Sequence, residues 1–347
     1  MKRADLSVLR ILSTLSVILM HSCSAVLDPI IRGVDGAVLI ETLSRSQALF
    51  FIFTADMMTF AVPVFLMITG ALQLNNDDEI NIKRSLKYSL RVLLALFIFG
   101  LPYSCLESVY LRGSFSPMTL KYAVKDLITG NSWGHLWYLY AVFGMYLILP
   151  LIKKWIRYGT KQEQEYILLV LFIFNMMIAG LKLKSGQDIA FNLPISGFTF
   201  FYVLIGAYLF EYSPKIFSSK LINLLAILIV AAARGAYAFY VYPAGISRLD
   251  YSSPLTAILA VLIFSLFKNV KAEMNGSLWR LDRLCFAVYL VHPLFINFAY
   301  KYLKLSPVHF GKAAILSSLV FFLIFSVLSF FASWVLNRIT VLKKYVL

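Results

Sequence analysis

Apolar runs long enough to cross a bilayer recur from one end of this chain to the other, and they limit the fold more than any other feature. Ile11 to Met20, Val92 to Pro102, Tyr166 to Gly180, Leu221 to Ala233 and Ala313 to Val335 are almost uninterrupted. A span of the hydrocarbon core needs only about 20 mostly apolar residues. Of the 347 residues 60% are hydrophobic and only 14% are charged, whereas a soluble domain carries about a quarter charged residues. No water-soluble core can hide that much apolar surface, so the bilayer is the solvent. Lipid leaves helices and closed barrels as the options, because backbone groups there must find partners inside the protein. Runs this long and continuous exclude barrel strands. The expected fold is all-α and polytopic.

Ten spans are predicted, at about 5–26, 48–73, 86–109, 134–152, 164–182, 196–211, 220–242, 254–269, 282–300 and 312–337. An even number puts both termini on one side. With the N-terminus inside, the cytoplasmic segments hold 19 of the 32 Lys and Arg residues and the external loops 11, with Arg10 and Arg234 inside spans. The positive-inside rule therefore places both termini in the cytoplasm. The same distribution accounts for the net charge of +15 without nucleic acid, since the cations flank apolar runs and form no separate basic patch. The first run reads as an uncleaved span, because Arg10 interrupts any signal-peptide core. Cys23, Cys105 and Cys285 are too few and too scattered to suggest a disulfide framework or a metal site. The longest loops, about 27–47 and 110–133, fall outside, and residues 1–347 read as one transmembrane domain. Pro63, Pro102, Pro194 and Pro293 lie within or at the ends of spans, where they kink or break helices against their neighbours.

Ionisable side chains at membrane depth cost at least ~2.5 kcal/mol each, so each is a candidate for function. They are Arg10, His21, Asp56, Arg91, Glu107, Arg234 and His292. Arg10 and His21 are separated by about three helical turns, which puts both on one face with His21 roughly 16 Å deeper. On a structural reading Arg10 snorkels to the headgroups and His21 bonds a neighbouring helix. On a functional reading the face lines a polar cavity, where a neutral imidazole accepts the proton of an attacking hydroxyl. Arg84, Lys87 and Arg91 repeat at spacings of three and four along the start of the third span. They either mark its inner end or grip the phosphates of an anionic cosubstrate. His292 precedes Pro293, which frees a helix carbonyl and favours a structural hydrogen bond. His135, beside Trp137 and Tyr138, suits an interfacial aromatic belt. Glu107 and Arg234 form either a buried ion pair or parts of an acceptor cavity.

The segment "LRILSTLSVILMHS", with Arg10 and His21, resembles the first span of the acyltransferase 3 family of membrane acyltransferases. "FAVPVFLMITG" resembles that family's second-span signature, with Thr69 where a serine is usual before Gly70. "GHLWYLYAVFGMYLILPLI", "FYVLIGAYLF" and "CFAVYLVHPLF" resemble its middle and C-terminal signatures, in the same order. The chain departs from the pattern at Ser7, where family members usually carry an aspartate three residues before the arginine, and in the wider spacing of its basic cluster. The resemblance implies an acyl-coenzyme A cosubstrate, with no permanently bound cofactor and no metal. It implies His21 as general base on an acceptor hydroxyl, Arg10 at the donor or the developing negative charge, and Arg84, Lys87 and Arg91 at the donor. Thr69, Glu107 and His292 are further candidates. The implied acceptor is a surface glycan or lipid-linked saccharide, acetyl is the family's commonest acyl group, and the implied location is the bacterial inner membrane. The alternative is an exporter or flippase of such a saccharide, which needs neither a base nor a coenzyme A grip.

Overall fold

The computed structural model describes residues 3–32, 43–76, 81–178, 180–181, 197–217, 219–241, 249–268, 270 and 273–347. Lys2, Lys182, Lys184, Pro194, Arg248 and Lys271 lie outside them. Every regular element among the described residues is helical. In chain order these are α1 (Ala4–Arg32), α2 (Arg45–Met58), α3 (Ala61–Leu74), α4 (Ile82–Arg112), α5 (Pro117–Thr129), α6 (Trp137–Tyr158) and α7 (Lys161–Phe172). Then come α8 (Phe198–Tyr212), α9 (Lys220–Val241), α10 (Pro254–Lys268), α11 (Gly276–Asn297), α12 (Ala314–Leu336) and the short α13 (Thr340–Tyr345). Each of the ten apolar runs overlaps a described helix, the fifth by way of α7 and a π-helical segment, Ile173–Ile178. Among the described residues seven of these are long and apolar enough to cross a membrane, and Phe198–Tyr212 and Pro254–Lys268 are shorter apolar helices.

The second run is two helices, broken at Thr59 and Phe60; Pro63 sits in the first turn of α3, where its missing N–H costs nothing. The break exposes carbonyls that a buried cation satisfies. Arg234 of α9 is fully buried and donates to the Asp56 carbonyl, to Thr59 Oγ1 at 3.1 Å and to Thr256 Oγ1 at 2.5 Å. Arg234 therefore closes the gap in a broken helix and does not pair with Glu107.

The tightest crossing joins α3 to α8. A Cβ on Gly70 would lie 1.9 Å from the Val203 carbonyl oxygen, and one on Gly206 would lie 2.2 Å from that of Met67. Only glycine permits backbones this close, which is how membrane helices gain packing where lipid gives no hydrophobic drive. Gly70 and Gly206 belong to two separate signature segments of the sequence, and the crossing gives both a common physical reason.

The expected loop at 110–133 contains a helix, α5. Its signals are in the sequence: Ser116 at the N-cap, Pro117 in the first turn and Gly130 in the left-handed conformation at the end. Thr119, Ala123 and Leu127, four residues apart, form its buried face. Leu127 packs under Gly100 of α4, so α5 roofs that end of the bundle.

Candidate functional site

Two polar regions lie along the same face of α1. At the first, Arg10 Nη1 is 2.6 Å from Asp282 Oδ1 of α11. This carboxylate supplies a counter-charge for Arg10 from another helix, while Asp5 pairs with Arg3. Around the pair lies a cavity of about 410 Å³ that also meets Thr69, Arg91, Arg283 and Tyr289. Among the lining side chains three arginines stand against one carboxylate, an excess of positive charge. The hydroxyl of Thr69 donates to the Phe65 carbonyl one turn back at 2.9 Å, as threonines in apolar helices do.

Of the basic cluster on α4, Arg91 reaches this cavity, and its Nε donates to the Val346 carbonyl at 3.0 Å. Arg84 is held by the Tyr88 hydroxyl at 2.9 Å. Lys87 is exposed and does not line the cavity. The spacing of three and four was sound as helix geometry, but the helix turns Lys87 away from the wall that Arg91 faces.

The second region holds three imidazoles. The His21 and His292 rings are 5.2 Å apart, and those of His135 and His292 are 5.9 Å apart. His135 is buried and sits among Tyr103, Trp133 and Tyr289. That corrects its assignment to an interfacial belt, whose residues face the headgroups. Its position follows from the 3₁₀ turn Gly134–Leu136 that precedes α6 and points the ring inward. Tyr103 and Trp133 stack at 4.3 Å, and Tyr103 donates to the Leu290 carbonyl at 2.9 Å. Glu107 accepts from Trp133 Nε1 and pairs with Lys301. It therefore supports the aromatic wall beside His135. His292 makes the backbone hydrogen bond expected of it, from Nδ1 to the Val288 carbonyl at 3.1 Å, and it also meets both other imidazoles. Among the described residues no group of three His, Cys, Asp or Glu is disposed to hold a metal ion.

Tyr138 and Tyr289 separate the two regions. Both line the cavity, their rings are 5.3 Å apart, and Tyr289 donates to the His135 carbonyl. The cavity reaches Arg10 but stops short of the histidines. Asp282, Tyr138 and Tyr289 are cavity residues that sequence reasoning did not single out. Asp282 lies 272 residues from its partner, beyond any local pattern. Tyr289 did lie inside a signature segment, three residues before His292, and so on its helical face.

A helical membrane bundle with a cationic cavity at one level and an imidazole cluster at another suits group transfer between polar substrates. The chain belongs to the acyltransferase 3 family, whose model, described as an acyltransferase domain, matches residues 3–338. It is a membrane acyltransferase by that membership and by its apolar helices. Among curated proteins it is 20% identical over 274 residues to a protein of Staphylococcus aureus strain N315 named "Probable poly-beta-1,6-N-acetyl-D-glucosamine export protein". The match covers 76% of each chain, and the counterpart in strain NCTC 8325 / PS 47 matches equally. No solved structure matches the chain.

Proposed function

We propose that this chain, acting as one transmembrane domain, moves an acetyl group from cytoplasmic acetyl-coenzyme A to a hydroxyl of a surface or lipid-linked glycan. The observation that carries this reading is the α1 face, with Arg10 in a cationic cavity and His21 about three turns deeper beside two further imidazoles. Arg91 and Arg283 suit the phosphates of coenzyme A, since guanidinium groups bind phosphate through paired N–H donors. The charge bias of the loops supports both termini in the cytoplasm of a bacterial inner membrane, which sets the cavity on the side where the thioester is made. His21 takes the proton of the attacking hydroxyl, a contribution of ~10²–10⁴-fold. Arg10 lies on the donor side, where it steadies negative charge as the acyl group departs.

Export is the second reading, favoured by the printed name of the staphylococcal relatives. The two differ in what His21 must do. His21→Ala, His21→Asn and His21→Gln are compared in cells by mass spectrometry of surface-glycan acyl groups, with membrane levels of each variant measured alongside. A general base predicts that all three lose acylation by orders of magnitude at normal protein level, because an amide does not take a proton near neutral pH. Near-normal acylation by His21→Gln at normal level overturns the catalytic assignment and moves weight to export.

A further inference from the structure

His292 has a nitrogen that the chemistry above leaves unused. The side chain is fully buried. Nδ1 faces the Val288 carbonyl oxygen at 3.1 Å, and a carbonyl only accepts, so Nδ1 carries the hydrogen. In the neutral ring Nε2 is then a bare lone pair. The charged ring would instead place an unpartnered N–H of a cation in the apolar interior, which costs far more. Nε2 is buried and has no hydrogen-bond partner, a state that costs ~1–3 kcal/mol for a polar atom. An acceptor is therefore held ready with nothing donating to it. The ring beside it is His21, at 5.2 Å between centroids. Two imidazoles joined by an N–H···N bond of about 2.9 Å have centroids roughly 5 Å apart, the spacing found between these two rings.

We propose that His292 is the positioning partner of His21, its Nε2 accepting the N–H of the imidazolium that His21 becomes during transfer. The proposal rests on His21 being the base of an acyl transfer. As the acceptor oxygen bonds to the acyl carbon, its proton moves to one nitrogen of His21. The N–H on the opposite side of that ring donates to His292 Nε2 without transferring. The tetrahedral adduct collapses, the carbon–sulfur bond breaks, and the proton on His21 leaves with the sulfur as free thiol. His292 is neutral before and after, and no proton is gained or lost. The bond strengthens as His21 becomes charged, because charge-assisted hydrogen bonds are about twice as strong as neutral ones. It therefore favours the transition state over the ground state, which is the condition for acceleration. The other ionisable groups packed around the pair are His135 and the Tyr103 and Tyr289 hydroxyls. Both hydroxyls are engaged as donors to backbone carbonyls, and His135 meets His292 at 5.9 Å between centroids, with a buried, unpartnered Nε2 of its own.

The test compares His292→Gln, which keeps an acceptor oxygen on a side chain of similar length, with His292→Leu and His292→Met, which fill the space without one. Acyl groups on the surface glycan and membrane levels are measured in cells, and acetyl-coenzyme A binding is measured on the purified variants. We expect Leu and Met to lower acylation at least tenfold at normal protein level with donor binding unchanged, and Gln to stay within a few-fold of the parent. A role confined to filling space gives no such rescue, since Leu and Met fill it as well. Parental acylation in Leu or Met at normal level overturns the proposal. So does loss in Gln matching that in Leu or Met, or, should Leu and Met not accumulate, a Gln variant that accumulates without acylating. A parent that acylates nothing, or a His21→Ala that acylates normally, instead overturns the acyltransfer reading itself.

Discussion

The two polar regions on α1 solve the problem of burying polar groups in lipid in opposite ways. Around Arg10 the cations have polar partners and open onto a cavity: Asp282 answers Arg10, and Arg91 donates to a backbone carbonyl. Beside the half-buried His21, the rings of His135 and His292 are buried and each keeps an unpartnered Nε2. Excess positive charge opening onto a cavity suits an anion, whereas a buried imidazole nitrogen without a partner gains most from a neighbouring N–H that donates to it. On the function proposed above, the first arrangement would hold a donor and the second would move a proton, and Tyr138 and Tyr289 stand between the two regions.

The largest expected effect at the cavity end is that of Asp282→Ala. It leaves Arg10 partly buried without a counter-charge, and removing one partner of a buried pair costs up to ~3–5 kcal/mol. Side-chain exposures of 26% and 14% moderate that figure, since solvent screens the pair. We expect glycan acylation to fall on the order of tenfold or more, a drop worth ~1.4 kcal/mol. Acylation within twofold of the parent would show that the pair behaves as a screened surface contact. Arg91→Ala comes next, with about tenfold weaker acetyl-coenzyme A binding, near the value of one charged hydrogen bond, and little change in acceptor affinity. Lys87→Ala is its control: binding should stay within about twofold, because the side chain is exposed and off the cavity wall. Equal losses in both would return the basic cluster to a general electrostatic role. The smallest effect belongs to Tyr289→Phe, which removes the hydrogen bond to the His135 carbonyl and keeps the ring. It should lower the melting temperature by a few degrees, for ~0.5–1.5 kcal/mol, without altering donor binding. A change in donor binding would mean that the tyrosine wall does not insulate the two regions.

The helical runs were legible because lipid allows so few alternatives: a segment such as Ala313 to Val335 has little other structure open to it. Gly70 was legible as part of a motif, but its purpose was not, since the backbone that it admits belongs to α8, more than a hundred residues away. α5 is marked in the sequence by Ser116, Pro117 and Gly130, but its place between two long apolar runs masks these local signals. His135 was misplaced for a similar reason. Its neighbours Trp137 and Tyr138 suggested an interface, yet the 3₁₀ turn that aims the ring inward leaves no local signature. Arg10 and His21 shared a face by helical arithmetic alone. Asp282, which pairs with Arg10, comes from the far end of the chain, and only packing brings it there.

The contact between α3 and α8 has a mechanical consequence. At Gly70 and Gly206 the atoms in the way are main-chain atoms of the opposite helix, and no rotamer change can move them aside. These helices are therefore pinned to each other like two boards nailed at a single point, unable to slide without parting altogether. If acyl donor and acceptor are to meet across the Tyr138 and Tyr289 wall, the helices left to yield are the cavity's other walls, α1, α4, α6 and α11, with α3 and α8 as the frame.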